Sequence, residues 1–205
     1  MIKKIIRILT VLIFSASIIS CISIDTEIKF KQDLTGEVLI KYSVSKSAMN
    51  IGKVDNNDSF MPLPIEEQKY REKAEKVNGL DFKSYKKEET SDEIYITVSY
   101  DFTNIEALNA IISNNQQQMI TVERRSGSFY FTQNIYNSSA DPAGEETIKL
   151  AQALYSDRYI KMKVTAPSPV KSVNTGTSTA NTAEVQFRLP DLLAENRPVI
   201  WEIVW

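Results

Sequence analysis

Apolar and polar residues alternate almost without fault from Ile24 to Lys31. Ile24, Thr26, Ile28 and Phe30 fall on one side, and Asp25, Glu27, Lys29 and Lys31 on the other. Period two over this length predicts a half-buried antiparallel strand. Asp33-Leu34-Thr35-Gly36 follows as a turn, with Gly36 free to take a positive φ. Val38, Ile40, Tyr42 and Val44 repeat the alternation, so 24–46 reads as a hairpin. Residues 47–64 carry Asn50, Asp55, Asn56, Asn57, Asp58, Pro62 and Pro64 and predict a long loop.

A surface helix is expected over about 64–77. Pro64 suits its first turn, Glu66 and Glu67 its positive end, and Lys73 and Lys76 its negative end; Asn78-Gly79 is the stop. Leu80 and Phe82 mark a strand, and Ile94, Ile96, Val98, Tyr100 and Phe102 mark another beyond a charged loop. Thr103 and Glu106 predict a capping box for a helix that buries Ile105, Leu108, Ile111 and Ile112.

A second hairpin turns at Ser126-Gly127, and Asp141-Pro142 should open a third helix. Ile160, Met162, Val164 and Ala166 form the next strand. The small polar residues 171–183 are a mobile loop or the tip of a long hairpin. Val185, Phe187 and Leu189 make a strand before Pro190. The closing stretch Val199 to Trp205 has apolar residues on both faces, as a strand inside a sheet does. The order of elements predicts an α+β fold: a mostly antiparallel sheet of hairpins with about three helices packed on one side.

The first residues do not fit that pattern. Lys3, Lys4 and Arg7 precede a short apolar run from Ile8 to Ile19, and Ile18-Ile19-Ser20-Cys21 closes it. A charged start, a short apolar core and a small residue before a cut site are the marks of an export signal. The run is shorter than the about 20 apolar residues of a spanning helix. The last four residues resemble the bacterial lipobox. That resemblance implies cleavage between Ser20 and Cys21, diacylglyceryl transfer to the Cys21 thiol and often acylation of the new amine. The expected organisation is a cleaved signal peptide over 1–20 and a single domain over 21–205. The domain would be exported to the cell envelope and lipid-anchored at Cys21, and its first strand starts so soon that it should lie against the membrane. No apolar stretch follows Trp205, so no second anchor is expected.

Composition then narrows the chemistry. The chain has 205 residues, one cysteine and no histidine. With Cys21 lipidated, Ser-His-Asp, Cys-His and His-based zinc sites are excluded. Losing 1–20 leaves 21 basic against 26 acidic residues, a balance that argues against nucleic acid. Asp55, Asn57, Ser59 and Glu66 fall at calcium-loop ligand positions, but Phe60 stands where glycine is needed, so a solvated turn is expected. Glu88, Glu89, Asp92 and Glu93 would serve acid–base work only if they faced each other in a cleft. Beside Lys86 and Lys87 they read as a solvated charge run. Tyr95, Tyr130, Tyr136, Tyr155, Trp201 and Trp205 can line a groove for an acyl chain or sugar, or fill a core. No cofactor and no metal is expected.

Several segments in order resemble the LppM-like domain of bacterial cell-envelope lipoproteins. They are Cys21 followed at once by paired strands, Gly36-Glu37-Val38-Leu39-Ile40, Val77-Asn78-Gly79-Leu80 and Tyr100-Asp101-Phe102-Thr103-Asn104-Ile105-Glu106-Ala107-Leu108-Asn109. Val164-Thr165-Ala166-Pro167, a polar stretch with Asn174 and a final Trp201 strand complete the set. The resemblance implies one domain over the mature chain and a role with envelope lipids or host interaction, not catalysis. Many such relatives carry a C-terminal membrane helix; none is expected here. The expected function is therefore a non-enzymatic, membrane-anchored lipoprotein that binds a lipid, a glycolipid or a protein partner. The alternatives are a carboxylate-dependent hydrolase of envelope glycans and a purely structural lipoprotein.

Overall fold

The computed structural model describes residues 22–46, 64–112, 119–136 and 158–205. The signal segment, Cys21, the 47–63 loop and the helix expected after Asp141 lie outside these residues. A seven-stranded sheet dominates. Its strands are β1 (Ile22–Phe30), β2 (Gly36–Ser45), β3 (Leu80–Glu89), β4 (Glu93–Phe102), β7 (Tyr159–Thr165), β9 (Thr177–Thr179) and β10 (Thr182–Arg188), in the order β3-β4-β2-β1-β7-β10-β9. Every pairing is antiparallel except β1 with β7, where Ile24 lies opposite Ile160 and Ile28 opposite Val164.

The alternation in the sequence fixes which face is buried. Thr26 pairs with Ile40, Ile40 with Val98, and Thr26 with Met162, so these side chains share one face. The opposite face carries Glu27, Lys41, Lys161, Lys163 and Glu184, interlaced in exposed ion pairs such as Lys41–Glu27 at 2.9 Å and Lys161–Glu184 at 2.9 Å. Pairs of this kind add little stability and keep the face solvated.

Over the buried face lie helices α1 (Glu67–Lys76) and α2 (Ile105–Ile112) and a second sheet. That sheet holds β5 (Ile120–Arg125), β6 (Ser128–Tyr136), β8 (Ser172–Val173) and β11 (Val199–Val204) in the order β5-β6-β11-β8. The expected antiparallel sheet with helices on one side is present, but the strands divide into two sheets: the Ser126-Gly127 hairpin and the last strand leave the main sheet and pair with each other. A short helix α3 (Leu189–Ala194) replaces the simple stop expected at Pro190, which sits in its first turn. The 171–183 stretch holds β8 and β9, and Ala180-Asn181 turns β9 tightly into β10. β11 is an interior strand between β6 and β8, as expected. Its burial is one-sided, however, with Trp201 and Ile203 inside and Ile200 40% exposed.

Two local expectations change for steric reasons. The β1–β2 turn takes its positive φ at Leu34 (65°), where Asp33 accepts hydrogen bonds from the Thr35 amide and hydroxyl. Gly36 is needed for another reason: a Cβ there would lie 2.0 Å from the Lys29 carbonyl oxygen. The cap of α2 is Asn104, whose Oδ1 accepts the Ala107 amide at 2.7 Å, one residue beyond the expected Thr103.

The two layers meet tightly at the far end of β1. Phe30 packs edge-on to Phe102 (5.6 Å between centroids) and Phe131 (6.0 Å) and stacks on Trp205 (5.8 Å), which stacks in turn on Phe129. Under α1 the sheet contributes Tyr42 and Tyr100. The Tyr42 and Tyr70 hydroxyls lie 2.5 Å apart and both donate to the Pro64 carbonyl. Burial pushes all three phenols well above their ordinary range.

Candidate functional site: an aliphatic cavity at the near end of β1

At the opposite end of β1 the described residues leave a gap between the layers. A cavity of about 130 Å³ remains between the main sheet, α2 and β6. Its floor is Ile24, Thr26 and Ile40 with Ile160 and Met162 of β7; its roof is Ile111 and Ile112 of α2, then Met119, Gln133 and Ile135. The deep residues Thr26, Ile40, Ile111, Gln133 and Met162 are buried, whereas Ile24, Ile112, Met119, Ile135 and Ile160 are half-buried and mark the mouth. Ile24 and Ile160 face each other in the β1–β7 register, so the mouth lies at the start of β1, a strand that begins one residue after Cys21.

Asn109 ties the two parts of the roof together. Asn109, buried on α2, donates from Nδ2 to the Ile120 carbonyl at 2.8 Å. Its Oδ1 accepts the amides of Met119 (2.9 Å) and Ile120 (2.7 Å). Three backbone groups at the start of β5 are thereby tied to the helix. A second feature is polar. Gln133 is 2% exposed, and among the described residues its Oε1 meets no hydrogen-bond donor.

A larger depression of about 410 Å³ lies at the other end of β1, beside Asp33, Asn104, Glu106 and Glu123. It is predominantly polar. Asp33 is held by Thr35, and Glu123 is paired with Arg125, so two of its three carboxylates already have local partners. The smaller cavity is the better candidate because its walls are mostly aliphatic side chains, eight isoleucines and methionines beside Thr26 and Gln133.

The expected site residues fare unequally. Ser20, Cys21 and Tyr155 lie outside the described residues, as does the 55–63 part of the calcium-like loop. Glu88 and Glu89 are exposed and paired with lysines: Lys86–Glu88 at 2.9 Å, Lys87–Glu89 at 2.8 Å and Lys46–Glu89 at 3.2 Å. Asp92 is exposed in the turn. Glu93 points elsewhere, to the buried Arg158 at 2.6 Å, and Arg158 also donates to Ser43. Burial raises the Glu93 carboxyl, but hydrogen bonds from Arg158 and Tyr95 and the Arg158 charge outweigh it and hold it below its ordinary range. The four carboxylates do not face one another across a cleft.

Of the two uses open to the aromatic residues, a groove or the core, the tryptophans take the core. Trp201 and Trp205 are core residues, Tyr95 is exposed on the charged face, and Tyr130 and Tyr136 lie half-buried on β6. Rings fill the far end of the interior; isoleucine and methionine line the cavity. The sequence did hold a signal for it. Thr26 and Gln133 are polar residues in core register, Thr26 between Ile24 and Ile28, and Gln133 between Phe131 and Ile135.

No family model and no curated protein matches the chain. Among solved structures it is similar to the NMR structure of the folded domain of LppM from Mycobacterium tuberculosis. The two are 8% identical, the match covers 89% of this chain and 88% of that one, and the TM-score is 0.48.

Proposed function

We propose that this protein is a membrane-anchored lipoprotein of the cell envelope, without catalytic activity, whose domain receives an aliphatic chain of a lipid or glycolipid at the bilayer surface. The observation that carries this reading is the position of the cavity mouth at Ile24, three residues beyond Cys21. A lipidated Cys21 would hold that end of the domain against the membrane, where acyl chains are the abundant apolar ligand. The walls are aliphatic and suit a chain more than a sugar, whose hydroxyls need several polar partners. A protein partner has no comparable support, since the large exposed apolar side chains among the described residues are Tyr95 and Ile200 alone. The pairing of Glu88, Glu89 and Glu93 with cations gives the hydrolase alternative no facing carboxylates to use.

The test has two arms in cells. Cys21→Ala is expected to abolish palmitate labelling and membrane retention; a variant still labelled and fully retained removes the anchor. Native mass spectrometry of the full chain released from membranes is expected to show co-purifying lipid. That lipid should be lost from Ile112→Phe, which fills the mouth. Lipid retained equally by both proteins removes the cavity as its site.

A further inference from the structure

Four strand edges bound the two described sheets, and three of them are poor templates for a further strand. β8 has two residues and β9 three, and β3 carries Lys83, Lys86, Lys87, Glu88 and Glu89 along its length. β5 differs. Asn109 holds both the N–H and the C=O of Ile120, so these groups point away from β6. Such groups alternate along an antiparallel pair, so those of Val122 and Arg124 point outward too. Among the described residues nothing pairs with them. The charges of β5 are engaged elsewhere: Arg125 bonds Glu123, and Arg124 lies over the Phe129 ring, 5.7 Å from its centroid.

The depression of about 410 Å³ lies beside this edge, lined by Thr121, Val122 and Glu123. Across it Leu34 and Ile105 are half-buried, and Asp33 and Glu106 are exposed. Neither of these two carboxylates forms an ion pair among the described residues. Val122 lies opposite Phe131, a core ring, so a strand added to β5 would turn the residue beside Val122 toward the same inner face. A long cationic side chain suits that position, because its methylenes can cover Leu34 and Ile105 while its charged end reaches the exposed carboxylates. We propose that β5 is a docking edge for an extended segment of a partner protein. The segment pairs its backbone with Val122 and Arg124 and sets a lysine or arginine beside Val122, against Asp33 and Glu106. Such a partner needs no exposed apolar patch, because main-chain hydrogen bonds supply the affinity. The edge lies beyond the far end of β1, away from the aliphatic cavity, and does not depend on what that cavity binds.

The test uses the full chain, labelled with nitrogen-15, in phosphatidylcholine nanodiscs. The probes are the capped peptide acetyl-Thr-Val-Arg-Val-Thr-amide, the same peptide with neutral citrulline for arginine, and the arginine peptide with every backbone nitrogen methylated. NMR shifts at the Val122 and Arg124 amides report docking. The arginine peptide is expected to move both and to bind about two- to fivefold more tightly than the citrulline peptide, the range of an exposed charge pair. Asp33→Asn with Glu106→Gln is expected to remove that ratio, and high ionic strength should shrink it in wild type. Val122→Pro deletes one edge donor without touching the β5–β6 ladder and is expected to abolish binding. The methylated peptide makes the same test on wild type if that variant does not fold, and is expected to move neither amide. No shift with the arginine peptide overturns the docking edge. Equal binding of the arginine and citrulline peptides overturns a basic partner, and binding of the methylated peptide overturns strand addition. Shifts at both amides on raising the protein concentration alone give the edge to a second copy of this chain and overturn the proposal as well.

Discussion

The two ends of β1 are built from the same alternation and end in opposite states. Ile24 and Phe30 both point into the space between the layers, six residues or about 20 Å apart along the strand. Around Phe30 the second layer offers Phe131 and Trp205, and rings fill the volume. Around Ile24 it offers Ile112, Met119, Ile135 and Gln133, and a cavity is left. The spacing between layers is set jointly along their length, so smaller side chains at one end cannot draw the layers together without displacing the rings at the other. The far end supplies the stability that allows the near end to stay open.

The contrast can be broken most severely at the far end. Phe131→Ala removes a fully buried ring that touches Phe30, Trp201 and Trp205, and is expected to cost about 3–5 kcal/mol in a denaturant titration. Next comes the roof of the cavity. Asn109→Leu strips partners from the Met119 and Ile120 amides and the Ile120 carbonyl. It is expected to cost about 2–3 kcal/mol, with methyl shifts concentrated at Ile111, Ile112 and Met119.

Adding volume should sort the two ends by sign as well as size. Val164→Phe overpacks a closed site and is expected to cost about 1–3 kcal/mol. Ile112→Phe has room to enter and is expected to change stability by less than about 1 kcal/mol. Equal penalties for the two would mean that the near end is as well packed as the far end.

Alkaline pH should sharpen the difference without mutation. Tyr42, level with Ile24 in the sheet, and Tyr70 and Tyr100 are held neutral by burial, so their folded pKa values are raised. The stability they contribute is complete below the ordinary tyrosine value of about 10 and is lost as pH rises from there toward the folded values. Tyrosinate absorbance should therefore appear late and together with unfolding, and Ile24 and Ile40 methyls should shift before Ile203. The smallest effect is acidic. The Glu93 carboxyl is depressed, so its contribution is present above about pH 4.3 and fades as pH falls through its lower folded value. Glu93→Gln should flatten that acid limb slightly.

The strands were legible because period two states both the element and its buried face, as in Ile24 to Phe30 and Ile94 to Phe102. What the alternation leaves open is the partner. Ser126-Gly127 announces a hairpin, but nothing in its pattern says that β5 and β6 leave the main sheet and pair with β11. The parallel β1–β7 contact is equally silent, being a pairing between residues more than a hundred positions apart. The cavity was half-written: Thr26 and Gln133 stand as polar residues in core register. Only the three-dimensional arrangement shows that both line the same space, and that of the two uses open to the tryptophans, a groove or the core, the fold takes the core.

The claim that matters most is that the near end of β1 meets lipid chains. Nuclear Overhauser contacts from protonated lipid to labelled methyls of the otherwise deuterated full chain in nanodiscs test it directly. Contacts from chain methylenes to Ile24, Ile160 and Met119, with none to Ile120 or Ile203, are the predicted result. Cavity methyls that contact only water, in a chain that is anchored to the disc, would contradict it.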